Sequence, residues 1–497
     1  MGSSAKVAKG VVWSTVVNVV NALYGFVSVP ILLAYFGKSE YGLIALAMSV
    51  NVYLRLMDLG FNSTNVRFFS AWLAKRDYDK TTRMFRTSLA FYGTVGIVNA
   101  LVIFVIACCS SSMFHLEPAQ NVVLRQLFLV LMASAIVSWF SSCFDQLIKA
   151  TENVAWIQQC TLLPKLVQVA VLVFTVWAKL GIVTYFLLTT FAMFVVIPLY
   201  VRKIRKELPF IRFSPKWDKQ MLREILPYCL NIFSFSIFQF SFYNLRPVFL
   251  GMQGTVEAVA DFRILNGIAS VVSLFASSFM GVLLPSSSKV VAQGNKKAYY
   301  RIAYDGTKYI TIVLCFCTFG MMTVGSEVIT LYVGESYLAL IPWLNVWLLC
   351  TLGVHNQAIS SLILSGSDIR AITINTAVSS IIGLVLSWMF IPYYQIGGVV
   401  IAHVVYLLVQ LLFYYIYYWP RVMQINSWRI LFRSFLPYVA CGLCLCWFIG
   451  LIFPPLAPLW GFLAKGVCFA IIYALFVILT ASRQDKEYVR ELLRRKR

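Results

Sequence analysis

Long apolar runs alternate with short polar breaks from one end of this chain to the other. A run of about 20 apolar residues is the length that crosses a bilayer as a helix. Fourteen such runs are predicted, near residues 10–36, 41–60, 85–109, 121–145, 156–178, 182–201, 225–250, 259–285, 309–333, 340–363, 371–391, 397–419, 435–453 and 460–481. The short, strictly alternating segments of a membrane β-barrel do not occur. The fold class that follows is an all-α polytopic membrane protein with 14 transmembrane helices. The first run is too long for a signal-peptide core and lacks a small-residue cleavage site, so it reads as a transmembrane helix.

Polar positions inside these runs keep to helical spacing. Ser14, Asn18 and Asn21 stand at i, i+4, i+7 in the first run, and Asn51, Arg55 and Asp58 repeat that spacing in the second. Each set therefore shares one helix face. Asn231, Gln239 and Arg246 fall on one side of the seventh run, and Arg263, Asn266, Ser270, Ser273 and Ser277 form a stripe along the eighth. A glycine-containing turn joins each pair (Gly37 to Gly42, Gly251 to Gly254), and a basic segment closes each (Ala74 to Arg83, Lys289 to Arg301). The two halves thus read as parallel repeats. Transporters with alternating access commonly place their substrate site between such halves.

The link from Arg202 to Arg223, with Pro209 and Pro215, separates six runs from eight and reads as a hinge. The expected organisation is a six-helix bundle at 1–205, a cytoplasmic linker at 206–224 and a second six-helix bundle at 225–433. Helices 13 and 14 follow at 434–481 as a peripheral pair, then a basic tail at 482–497.

Composition sharpens this picture. Of 497 residues, 60% are apolar and only 12% charged, too little polar surface for a soluble protein. The net charge of +22 would suggest nucleic acid in a soluble chain. Here the basic residues crowd into alternate loops: Lys75 to Arg83, Arg202 to Lys219, Lys289 to Arg301, Arg421 and Arg429, and Arg483 to Arg497. The opposite loops hold little beyond Lys38 and Lys179. That asymmetry places both termini in the cytoplasm and leaves no nucleic-acid partner to propose. Tyr488, Val489, Leu492 and Leu493 among the basic residues of the tail suit the anionic inner leaflet.

Charge within a membrane span costs about 2.5–3.5 kcal/mol on insertion scales, so each such residue needs an explanation. Arg55 and Asp58 read either as a ligand clamp with its tuning partner or as a snorkelling arginine and a helix-end acid. Arg246 and Arg263, near the outer ends of their runs, carry the same two readings. Arg125 opens the fourth run as a cavity residue or an interfacial anchor. Asn18, Asn21, Asn51, Gln239 and Asn266 suit either ligand hydroxyls or hydrogen bonds between helices. Asp145 and Lys149 pair at i, i+4. Lys165 follows a proline kink, Glu327 lies near an outer end, and His355 belongs to a packing knot with Asn356 and Gln357. Cys441, Cys444 and Cys446 read as small core residues, because no histidine or acid stands near them to complete a metal site. No phosphate-binding loop, HExxH or GxSxG occurs, and no far-side loop is large enough for a catalytic domain. No cofactor, metal or enzymatic activity is expected.

Five stretches carry a family resemblance: Leu32 to Val50 (LLAYFGKSEYGLIALAMSV), Leu56 to Phe68 (LMDLGFNSTNVRF), Leu222 to Phe235 (LREILPYCLNIFSF), Asn244 to Gly254 (NLRPVFLGMQG) and Val271 to Asn295 (VVSLFASSFMGVLLPSSSKVVAQGN). With them the chain resembles the multidrug/oligosaccharidyl-lipid/polysaccharide exporter superfamily. Within it the chain is similar to the polysaccharide transporter branch, the flippases of lipid-linked O-antigen and related units. An acidic residue often precedes the arginine of the seventh span in that family; here Leu245 precedes Arg246. The resemblance implies two six-helix bundles in a V around a central cavity, with two extra helices, in a bacterial inner membrane.

It also implies a substrate: a polyprenyl-pyrophosphate-linked oligosaccharide, such as an O-antigen, capsule or exopolysaccharide repeat unit, moved to the outer leaflet by alternating access. Arginines suit a pyrophosphate through paired, charge-assisted hydrogen bonds. On this reading the partners are the glycolipid, the lipid bilayer and a glycan polymerase or glycosyltransferases of the same pathway. Two other functions stay open. An ion-coupled multidrug antiporter of the same superfamily would need a more acidic cavity, and a membrane-embedded polymerase or ligase would need a large outer loop.

Overall fold

The computed structural model describes residues 3–114, 116–151, 153–365, 370–453 and 457–480. The basic tail therefore lies outside the described residues, as do the side chains of Ser14, Asn231 and Ser277. Among the described residues every regular element is a helix. Among the described residues eleven helices are long and apolar enough to cross a membrane.

The first helix, α1 (Ser3–Leu54), holds 52 residues. Straight, it would run about 78 Å, more than twice the thickness of a hydrocarbon core. Gly37 breaks it with φ 84° and ψ 169°, a conformation that costs glycine nothing. The break falls in the polar turn expected between the first two spans. Next come α2 (Phe61–Ala74), α3 (Tyr78–Cys108), α4 (Pro118–Ala150), α5 (Val154–Trp177) and α6 (Ile182–Glu207). The helices α7 (Lys219–Gln253) and α8 (Val256–Ala292) carry the second set of polar stripes. They are followed by α9 (Lys296–Thr323), the short α10 (Gly325–Tyr332), α11 (Glu335–Ile363), α12 (Arg370–Tyr394), α13 (Ile396–Val422), α14 (Ser427–Ile452) and α15 (Pro458–Thr480).

Two compact units result. The first comprises Met1–Arg263 with Gly383–Val399, and the division falls inside α8. In it α3 packs along α4, α5 along α1, and α7 against α1 and α2. Its core gathers Phe61, Phe69, Phe85, Tyr92, Trp139 and Tyr200, together with Met221, Ile225 and Cys229 from the start of α7. The segment before α7 joins this core through the buried Leu208 and Ile211. Arg86 donates to the Ser214 carbonyl, and Arg83 pairs with Asp218 at 2.7 Å. Asp218 in turn accepts the backbone N–H groups of Gln220 and Met221, capping α7. The segment read as a hinge is therefore stitched to α3. Gly42 lets the Val256 carbonyl approach α1 where any side chain would collide. Lys38, just past the Gly37 break, pairs with Asp261 of α8 at 2.7 Å.

The second unit comprises Ile264–Ile382 and Val400–Arg497. Here α9 packs against α11, α14 and α15, while α10 packs on α15. The helices expected as a peripheral pair are thus anchored on α9 and α10. One anchor is the ion pair of Lys465 with Glu327, whose side chains are 13% and 8% exposed. His355 is a packing residue, hydrogen-bonded to the Leu352 carbonyl and to Tyr415, each at 2.8 Å. Cys446 and Thr323 are in contact at 3.1 Å in this helix packing.

Candidate functional site

The far end of the second span departs from a continuous helix. α1 stops at Leu54, and Arg55–Asp58 form one 3-10 turn. Leu59 (φ 50°, ψ 27°) and Gly60 (φ 80°, ψ 8°) are both left-handed, and α2 begins at Phe61. Glycine adopts this conformation freely, whereas for leucine it costs about 1–2 kcal/mol. The expected helical face through Asn51, Arg55 and Asp58 is thus corrected in its geometry, because the helix ends before the two charged residues. All three side chains still line one cavity of about 190 Å³, with Asn62, Asn99, Ser134, Ser138, Trp139 and Ser142.

Asp58 is held on both oxygens. Oδ2 accepts the backbone N–H of Asn62 at 2.9 Å, satisfying one of the open donors at the start of α2. Oδ1 accepts the Tyr92 hydroxyl at 2.7 Å. Behind Tyr92 runs a buried chain of side chains. Gln146 Nε2 donates to the Tyr92 oxygen at 2.7 Å, and Asn65 Nδ2 donates to Gln146 Oε1 at 2.7 Å. Ser88 Oγ donates to Asn65 Oδ1 at 3.1 Å. Every bond in this chain points its proton toward Asp58, so each polarises the next. None of Ser88, Asn65, Gln146 and Tyr92 exceeds 1% exposure.

Arg55 is treated differently. It is exposed at the cavity, and among the described residues its guanidinium has no hydrogen bond or ion pair. Asp58 acts on it only through space.

The other predicted site residues do not line this cavity. Asn18 and Asn21 on α1, Arg125 on α4, and Gln239 on α7 are exposed. Arg246 is 2% exposed, its guanidinium over the rings of Phe242, Tyr243 and Phe262 at 4.7, 5.0 and 5.7 Å. Arg263 is half-buried near Tyr41, and Asn266 is exposed in the second unit. Asp145 and Lys149 pair as their spacing allows. Lys165 bonds Gln168 at 3.0 Å and lies 4.9 Å from the Tyr24 ring centre. Among the described residues no group of three or more His, Cys, Asp or Glu could hold a metal ion.

Sequence reasoning missed Tyr92, Gln146, Asn65, Asn99 and the serines of α4. Asn99 and Gln146 had a signal, being amides within otherwise apolar runs. Tyr92 had none, since tyrosines are common throughout these spans.

Long apolar helices and a polar cavity buried among them define a multi-pass membrane protein, and its fold is one found in transporters. It matches lipid II flippase MurJ in an inward closed conformation with a TM-score of 0.74 at 13% identity, over 94% of this chain and 99% of that one. It also matches an inward-facing multidrug resistance MATE family transporter of the MOP superfamily, with a TM-score of 0.63 at 15% identity over 79% and 93% of the two chains. The MATE multidrug transporter DinF-BH gives a TM-score of 0.55 at 17% identity over 81% and 93%. The chain belongs to the polysaccharide biosynthesis protein family, whose sequence profile matches residues 7–291. No curated protein matches it by sequence.

Proposed function

We propose that this protein is a flippase. It moves a polyprenyl-pyrophosphate-linked oligosaccharide from the cytoplasmic to the outer leaflet of a bacterial inner membrane, using fourteen crossings with both termini in the cytoplasm. The observation that carries this reading is Arg55, a guanidinium with no ion-pair partner among the described residues, at a cavity walled by amides and hydroxyls. A guanidinium gives a phosphate two parallel, charge-assisted hydrogen bonds, while amides and hydroxyls suit sugars. The family membership and the transporter fold support the same reading.

The physical task is to carry a dianion and a polar glycan across about 30 Å of hydrocarbon while the prenyl tail stays in lipid. Two repeat halves, each led by a pair of polar-striped helices, alternate access to a shared site. Arg263, Asn266, Gln239, Asn18, Asn21 and Arg125 serve as contacts along the route. Arg246 joins them once the rings around it move. No bond is made or broken, so the protein acts without a cofactor, beside the polymerase or glycosyltransferases that use the same lipid.

The test is leaflet assignment of a lipid-linked oligosaccharide in proteoliposomes containing this protein alone. An outside glycosidase should reach the glycan only when the protein is present, and Arg55→Ala should abolish that access without loss of membrane insertion. Transport of a labelled cationic drug with no change in glycan access would replace the flippase by an antiporter.

A further inference from the structure

The cavity beside Arg55 has a definite size. An engineered protein cavity of about 150 Å³ binds one benzene. At about 190 Å³ this one has room for about one six-membered ring. Its walls offer the amides of Asn51 and Asn99, the hydroxyls of Ser138 and Ser142, and the ring of Trp139. A pyranose presents C–H faces that pack on an aromatic ring, and hydroxyls that both donate and accept.

We propose that this cavity is a one-sugar subsite. It takes the single neutral pyranose bonded to the pyrophosphate, while Arg55 takes the adjoining phosphate. The proposal rests on the flippase reading above and adds which part of the substrate this site recognises.

Asp58 sets the selectivity. A carboxylate only accepts hydrogen bonds, and its two oxygens offer about four lone-pair sites. Tyr92, the Asn62 N–H and the Gly60 N–H occupy three of them, leaving one for a sugar hydroxyl. A uronic acid would bring a second carboxylate against Asp58 and be repelled. Asp58 cannot turn away to accommodate it, because Tyr92 is fixed from behind by Gln146, and Gln146 by Asn65. Tyr92 and Gln146 are therefore positioning residues, which act on the sugar through Asp58.

The test measures binding to the full chain in nanodiscs. The probes are farnesyl pyrophosphate alone, the same carrying one N-acetylglucosamine, carrying two sugars, and carrying one glucuronic acid. The first sugar should tighten binding about tenfold, as one or two net hydrogen bonds would. A second sugar should add less than about twofold, below the value of one net hydrogen bond, and glucuronic acid should add nothing. Asp58→Asn keeps an acceptor for the Asn62 N–H, and Tyr92→Phe keeps the ring that stacks on Trp139. Both variants should lose the gain from the first sugar, each measured against its own binding of bare farnesyl pyrophosphate; Asp58→Asn also removes a negative charge near Arg55 and should bind the bare pyrophosphate more tightly. An equal gain for each successive sugar, or a gain unchanged in both variants, overturns the subsite. Binding of the bare pyrophosphate with no gain from any sugar overturns the subsite and leaves the flippase reading intact. Failure of every pyrophosphate to bind overturns both.

Discussion

Replacing Gln146 with leucine tests the buried chain at its middle link. Gln146 is 1% exposed and uses both ends of its amide, accepting from Asn65 and donating to Tyr92. Leucine fills nearly the same space and can do neither. Asn65 Nδ2 is then left in a dry interior without an acceptor, at a cost of about 1–3 kcal/mol. The Tyr92 oxygen loses a donor but keeps its own bond to Asp58, a loss of about 0.5–1.5 kcal/mol. Together the substitution should cost about 2–4 kcal/mol. Gln146→Glu should cost at least as much, because it buries a second carboxylate against the hydroxyl that serves Asp58. Stability is read by denaturant titration in detergent micelles, following the intrinsic fluorescence of folded protein. If Gln146→Leu unfolds within about 0.5 kcal/mol of wild type, the range of an inconsequential substitution, the chain does not hold these helices together.

Lys465→Met should destabilise the protein by about 3–5 kcal/mol, because it leaves Glu327 buried without a counter-charge, held by the Ser326 hydroxyl at 2.9 Å and its own backbone N–H. The double variant Glu327→Gln/Lys465→Met should recover most of that loss, and equal losses in the single and double variants would refute the pairing. The Asp218 carboxyl, outside the membrane spans, is held below its ordinary pKa by the N–H of Met221 and by Arg83. Its contribution is therefore complete above the unfolded value near 4 and disappears as the pH falls through the lower folded value. Amide exchange across residues 208–217 should stay slow from pH 7 to about 5 and quicken below about 4, a step that Asp218→Asn removes. A flat profile in the wild type would sink that account.

The apolar runs were legible because bilayer thickness and backbone hydrogen bonding leave a spanning chain few alternatives to long helices. The break at Gly37 and the turn before Val256 were legible for the same reason, since polar residues with glycine mark where a span must end. The cavity was legible only in part. Asn51, Arg55 and Asp58 could be grouped from spacing, but the spacing assumed a helix that Leu59 and Gly60 cut short. A left-handed leucine follows from no local propensity; the packing around it imposes it. The buried chain was hidden for another reason. Ser88, Asn65, Gln146 and Tyr92 lie on three helices, and nothing in one helix names its partner on the next. Lys465 was passed over as one charge in an apolar run until Glu327 appeared beside it, 138 residues away in sequence.

The bonding of Asp58 also accounts for the lack of an ion pair at Arg55 among the described residues. In an unbroken helix, residues three apart share a face, and an arginine and an aspartate there would pair and cancel. The 3-10 turn also keeps them on one side, but Tyr92 and the N–H groups of Asn62 and Gly60 hold the Asp58 carboxylate instead. Among the described residues Arg55 is left with no hydrogen bond or ion pair. Leu59, next to Asp58, carries a left-handed backbone that costs about 1–2 kcal/mol. Strain of this kind persists where the surroundings over-determine it, and it gathers at ligand clamps. The hydrogen bonds of the acid are satisfied within the fold, and the consequence is a guanidinium open to an anion that arrives from outside it.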